Sequence, residues 1–112
     1  NPDVDYLIAV AAVFVAIDSE MEEDQIAARW GGEEFAIYLP NATIEECTEK
    51  ANIIREKVNK HSKPKVSLSC GVSVWEKGYE DSIERLFIRA DKALYEAKTS
   101  GKNKVVQNVE VG

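Results

Sequence analysis

The chain has 112 residues, of which 14 are Lys or Arg and 20 are Asp or Glu, so its formal net charge is −6 at pH 7. This length corresponds to one domain or part of one. The acidic balance argues against a nucleic-acid binder or a binder of membrane surfaces. Cys47 and Cys70 lie far apart without metal-type spacing, which indicates reduced structural thiols. No basic leader is evident and the longest apolar run is too short to span a bilayer, so we expect a cytoplasmic protein.

The first half of the chain predicts a helix followed by two short strands. Apolar residues nearly all round predict a buried helix over residues 5–18, although its β-branched content is also compatible with a strand. An acidic connector over residues 18–25 follows this helix. Strands are predicted over residues 26–29 and 35–39, because both stretches are short and apolar.

The second half predicts a helix, a strand, a helix and a strand. Thr43 and Glu46 have the spacing of a capping box, which predicts a helix over 44–59. Its inner face would consist of Ile44, Cys47, Ala51, Ile54 and Val58.

Alternation predicts a strand over residues 66–75, whose second face carries small residues; either another element packs closely there or that face lines a site. A helix over 82–99 would end at Gly101, and residues 104–111 would form a last edge strand. The predicted inner stripe of that helix is Ile83, Leu86, Phe87, Ala90, Leu94 and Ala97. The order α-β-β-α-β-α-β is an α+β layout with helices packed on a sheet.

The two short strands flank a glycine-containing connection and predict a β-hairpin. Gly31 and Gly32 supply backbone freedom and leave the backbone bare, so a ligand can come within contact distance. Neighbouring side chains of an extended chain point to opposite faces, so we expect different roles for Glu33 and Glu34. One would face a ligand, and the other would face solvent or a structural partner. Taken alone, such a connection is more typical of a solvated hairpin tip.

Three motifs, in order, resemble those of the GGDEF family of diguanylate cyclase domains. They are RWGGEEFAI over residues 29–37, VSLSCGVS over 66–73, and RADKALYEAK over 89–98 followed by SGKN over 100–103. Three motifs at sensible separations are far more specific than one. Glu33 stands at the third position of the family's GGDEF sequence, where Glu is a common variant. The resemblance, firm over residues 26–106, implies a ferredoxin-like palm of the nucleotidyl cyclase type, with helices packed on an antiparallel-rich sheet.

The resemblance also implies an enzyme that condenses two GTP molecules into cyclic di-GMP and releases pyrophosphate. Its active site would form between the protomers of a homodimer, normally driven by an upstream sensor domain. Glu33 would hold Mg²⁺ or Mn²⁺ and help to deprotonate the attacking 3′-hydroxyl, since hard cations prefer carboxylate oxygens. Gly31 and Gly32 would lie against the nucleotide, and Lys98 and Lys102 would contact the GTP phosphates. Without the motifs, the same lysines would be interpreted as compensating a helix dipole.

Three features depart from the family pattern. Family domains carry an earlier strand with a metal-binding Asp and a helix with a guanine-reading Asn; neither is found here, so residues 1–112 are interpreted as a partial domain that is incomplete for activity. By the resemblance, Asp5 would be a second residue that contacts guanine. It is interpreted equally well as the N-cap of a helix. Glu22 and Gln25 occupy the RxxD product-inhibition positions, so we predict no such inhibition, because an acid cannot pair with phosphate. Lys102 replaces an Arg, and a lysine neutralises phosphate without a bidentate grip.

Two alternatives to the enzyme remain. A catalytically inactive module of this fold would bind GTP and signal to a neighbouring domain without turnover. A purely structural dimerisation domain would bind no nucleotide at all.

Overall fold

The computed structural model describes Val13 and residues 16–29, 34–62, 65–75 and 81–109. Its elements are β1 (Ile26–Arg29), β2 (Phe35–Tyr38), α1 (Ile44–His61), β3 (Cys70–Val72), α2 (Ile83–Thr99) and β4 (Val105–Gln107). Val13 and residues 16–19, ahead of β1, are also helical. This order confirms the predicted α+β layout over the part of the chain that is described.

Within that part, the strands form one antiparallel and one parallel pair. In the antiparallel pair, Ile26 of β1 lies opposite Tyr38 of β2, and Arg29 lies opposite Phe35. In the parallel pair, Cys70 of β3 lies opposite Val105 of β4. Parallel neighbours need a crossover, and α2 supplies it, so β3, α2 and β4 form a βαβ unit. The hairpin prediction is confirmed to within one residue.

Helix α1 begins with the predicted capping box. The Thr43 hydroxyl accepts from the Glu46 N–H at 3.1 Å, and the Glu46 carboxylate accepts from the Thr43 N–H at 3.1 Å. The helix continues two residues beyond the predicted end, and its last residue is the exposed His61. The basic side chains Lys60 and His61 lie in the last turn, where positive charge complements the helix dipole.

The hydrophobic core lies between α1, the first helical segment and the hairpin. Its buried members are Val13, Ala16, Ile17, Ile54 and Val58. Partly buried side chains of the hairpin and of the segment before β3 pack against it: Ala27, Phe35, Ile37, Val66 and Leu68. Burying one Val or Ile side chain contributes roughly 1.5–3 kcal/mol to stability. The first helical segment, the hairpin and α1 are thus held together by their apolar faces.

The predicted inner stripe of α2 is wrong at two of its positions. Ile83 is 76% exposed and Phe87 is 37% exposed, whereas the buried residues of α2 are Arg89, Ala93 and Ala97. The buried face is therefore rotated around the helix from the predicted one. Arg89 lies on this buried face, and its guanidinium has its partners inside the protein.

Strand β3 is shorter than predicted, but its small residues pack as the pattern indicated. It covers three residues of the predicted 66–75, and β4 covers three of the predicted 104–111. A Cβ built on Gly71 would lie 2.1 Å from the Ala90 carbonyl oxygen and 2.4 Å from the Leu94 nitrogen. Glycine therefore lets β3 approach the backbone of α2 more closely than any other residue allows.

Candidate functional site

The hairpin connection carries three of the six predicted site residues, Gly31, Gly32 and Glu33. Arg29 and Phe35 pair across the strands, so residues 30–34 connect them. Of this connection the structure describes Glu34, while Gly31, Gly32 and Glu33 lie outside the described residues. Asp5 lies outside them as well. The roles predicted for these four residues therefore remain predictions.

Lys98 lies beside the hairpin connection. Its Nζ is 3.8 Å from Oε1 of Glu34, which directly follows the predicted metal ligand in the chain. The two side chains are 45% and 43% exposed, so water screens the pair and it contributes little to stability. Its significance is positional, because it brings the C-terminal end of α2 and the acidic hairpin connection together at the surface.

Lys102 lies just beyond the same helix end. Its N–H donates to the Ala97 carbonyl at 2.9 Å, and Gly101 before it has φ +123°. This is the Schellman arrangement that the position of Gly101 predicted. The Lys102 side chain is exposed, and no described carboxylate pairs with it. Both predicted phosphate-binding lysines are thus exposed at the C-terminal end of α2.

Arg89, in the N-terminal half of α2, pairs with Asp81, which precedes the helix. The sequence patterns indicated no role for this pair. Arg89 donates through Nη1 to Asp81 Oδ1 at 3.0 Å and through Nη2 to Asp81 Oδ2 at 2.6 Å. The same Nη2 also donates to the Val74 carbonyl at 2.9 Å. Both side chains are nearly inaccessible, at 9% and 0% exposure. A bidentate, buried pair of this kind joins the segment after β3 to α2. The sequence feature that could have indicated this pair is Arg89 itself, the first residue of the RAD motif. The predicted apolar stripe of α2 would have left that residue exposed.

The positions of the RxxD motif form a closed turn. The Glu22 N–H donates to the Gln25 side-chain oxygen at 2.9 Å, and the Gln25 N–H donates to the Glu22 carbonyl at 3.0 Å. An open pocket of about 200 Å³ beside this turn is also lined by Glu46, Glu49 and Lys50. Lys50 directs its ammonium to the Glu20 carbonyl at 2.7 Å. The carboxylates outnumber the one ammonium at this pocket. That product does not inhibit through these positions stays a prediction.

The cysteines are reduced, as predicted, and neither is activated. Both thiols are free. Burial raises the pKa of Cys70 to about 11, and the nearby Arg55 guanidinium lowers that pKa only in part. Burial also raises the pKa of the Cys47 thiol, and the Glu46 carboxylate adds to that rise. Neither thiol therefore has the lowered pKa that is typical of an activated cysteine.

A metal site is not formed by the described residues alone. Nowhere among them do three or more His, Cys, Asp or Glu side chains converge. The carboxylate chemistry of the hairpin connection fits a hard divalent cation, with Glu33 as the candidate ligand. Among the described residues, no helix has both the length and the apolarity to cross a bilayer.

Known proteins are similar to this chain over most of its length. The family described as "Diguanylate cyclase, GGDEF domain" matches residues 6–104. YtrP of Bacillus subtilis, an uncharacterized protein, is 43% identical over 100 residues, which cover 89% of this chain and 17% of YtrP. Diguanylate cyclase DgcM of Escherichia coli K12 is 36% identical over 100 residues, covering 87% of this chain and 24% of DgcM.

A solved structure shares the fold. The GGDEF domain of DgcB from Caulobacter crescentus, in complex with c-di-GMP, superposes with a TM-score of 0.83 at 26% identity, covering 91% of this chain and 64% of that one. The present chain thus spans about a quarter or less of the curated relatives named above. The palm-type fold inferred from the motifs is confirmed, and the chain belongs to the GGDEF family of diguanylate cyclase domains.

Proposed function

We propose that this chain is part of a catalytic domain that condenses two GTP molecules into cyclic di-GMP and releases pyrophosphate. The observation that supports the proposal best is the 3.8 Å approach of Lys98 Nζ to Glu34 on the hairpin connection. It joins an acidic connection, suited to a divalent cation, to a basic helix end, suited to phosphate. Relatives such as DgcM carry the same activity in their names.

Phosphoryl transfer requires positioning and charge compensation more than covalent chemistry. In the proposed site, Lys98 and Lys102 neutralise the phosphates of one GTP, and the backbone of Gly31 and Gly32 lies against the nucleotide. Glu33 holds the divalent cation and assists removal of the proton from the attacking 3′-hydroxyl. Mg²⁺ or Mn²⁺, when bound, supplies charge compensation at the reacting phosphate.

The reaction joins two nucleotides, so we propose that two protomers each hold one GTP and act as a homodimer. A sensor domain elsewhere in the full-length protein would control how the protomers meet. A cytoplasmic location follows from the intracellular substrate and remains part of the proposal.

Incubation of the full-length protein with GTP and Mg²⁺ tests the proposal. We expect a cyclic dinucleotide and pyrophosphate in a ratio of one to two, and their loss in Glu33→Gln. Glu45→Gln, on an exposed position of α1, is the matched control and should keep full activity. No product from the wild type would contradict the proposal. If calorimetry then showed GTP binding without pyrophosphate release, the regulatory alternative would replace the enzyme.

A further inference from the structure

The turn that carries Lys102 has an unusual backbone. Lys102 has φ +61° and Asn103 has φ +48°, directly after Gly101 at φ +123°. Two consecutive non-glycine residues in the left-handed region are uncommon, because the Cβ crowds the following carbonyl. Such a conformation persists when the surrounding structure holds it. The helix end supplies one contact through the Lys102 N–H, and the other comes from α1.

Arg55 of α1 holds the side chain of Asn103. Its Nη1 donates to Asn103 Oδ1 at 3.0 Å, and its Nε donates to Asn52 Oδ1 at 3.1 Å. The guanidinium is planar, so two bonds on different edges fix its orientation. The Arg55 side chain is only 18% exposed, so the protein covers most of it. Asn103 is itself exposed, and this bond attaches its side chain to helix α1.

We infer that Arg55 is a positioning residue for phosphate binding, acting through Asn103 to aim Lys102 at the triphosphate. The inference deepens the proposed function and rests on it. Lys102 stands where a bidentate arginine is usual in the family, so its single ammonium gains more from a fixed backbone. A merely structural role would be to dock β4 on α1. That docking has a separate side-chain bond, in which Gln107 Nε2 donates to Thr48 Oγ1 at 2.8 Å.

The test is a double-mutant cycle in the full-length protein. The probe is the α,β-methylene analogue of GTP with Mg²⁺, and its affinity is measured by calorimetry. Arg55→Met should weaken binding roughly fivefold and Lys102→Met roughly tenfold, in line with the loss of bonds to charged groups. The double variant should bind like Lys102→Met alone, because Arg55 acts through Lys102. Effects that multiply would indicate general destabilisation and would overturn the inference.

Three further variants keep the test independent of the folding of Arg55→Met. Asn103→Gly tolerates the positive φ but removes the acceptor, and should match Arg55→Met. Asn103→Asp keeps the acceptor and should bind like the wild type. Gln107→Ala breaks the other link to α1 and should leave affinity unchanged. Wild-type affinity in Asn103→Gly would overturn the inference alone. Absence of binding by the wild-type protein would overturn the proposed function, and the inference with it.

Discussion

Each end of α2 carries one pair of oppositely charged side chains, and the two pairs differ in their exposure to solvent. Near its N-terminal end, Arg89 and Asp81 form a bidentate pair that is almost entirely removed from water. At its C-terminal end, Lys98 and Glu34 approach to 3.8 Å while their side chains remain 45% and 43% exposed. A buried pair satisfies its partners and cannot exchange them, whereas an exposed pair is held weakly and can accept a ligand. Burial therefore separates the charges that hold the helix from those available for binding.

The largest expected effect is at the buried end. Arg89→Leu would leave the inaccessible Asp81 carboxylate without its guanidinium, and should lower the free energy of unfolding by about 3–5 kcal/mol. Chemical denaturation followed by circular dichroism measures this. Arg85→Leu, on an exposed turn of the same helix, is the control for loss of an arginine. A loss in Arg89→Leu no greater than in the control would remove the structural role assigned to the pair.

The close contact of β3 with α2 should be the next most sensitive feature. Gly71→Ala places a Cβ against backbone atoms of Ala90 and Leu94, which cannot rotate away. Overpacking of this kind should cost roughly 1–3 kcal/mol. The same denaturation experiment on Gly101→Ala is a useful contrast, since its Cβ would meet only the Lys104 side chain but its φ of +123° disfavours alanine. Unchanged stability in Gly71→Ala would contradict the packing described.

At the exposed end the expected effect moves from stability to ligand binding. Lys98→Met should change the free energy of unfolding by less than about 0.5 kcal/mol. Because methionine has no ammonium group to contact phosphate, the KM for GTP should rise roughly tenfold. Steady-state pyrophosphate release measures the second value, with Lys92→Met of the same helix as control. Equal KM values in the two variants would remove Lys98 from the proposed site.

The smallest effect is expected for the partner of Lys98. Glu34→Gln removes a charge that is largely screened by water, so stability should again change by less than about 0.5 kcal/mol. Loss of the competing carboxylate should lower the KM for GTP, by no more than about twofold. Glu33→Gln, its neighbour, should by contrast abolish turnover. Loss of turnover in Glu34→Gln instead would exchange the roles proposed for the two residues.

Local signals in the sequence predicted local structure well. The capping box of Thr43 and Glu46 and the strands of the hairpin depend on neighbours within a few residues, and the structure confirms them. The buried face of α2 could not be predicted in this way. Arg89 is buried because Asp81 and the Val74 carbonyl surround it, and apolar periodicity contains no information about those partners.

The candidate site likewise has features that the sequence predicted and others that depend on packing. The motifs indicated the family, and the comparisons confirm it. That Lys98 lies beside Glu34, or that Arg55 reaches Asn103, depends on how the helices and strands pack, since each pair is far apart in the chain. Residue types predicted the chemistry, and only the fold shows which of these residues are neighbours.

The central claim is that the hairpin connection and the basic end of α2 hold one triphosphate between them. The most direct measurement is a crystal structure of the full-length protein with the α,β-methylene analogue of GTP and Mg²⁺. We expect phosphate oxygens about 2.7–2.9 Å from the ammonium groups of Lys98 and Lys102, with Mg²⁺ on Glu33. An analogue bound away from both lysines, with Glu33 uncoordinated, would contradict it.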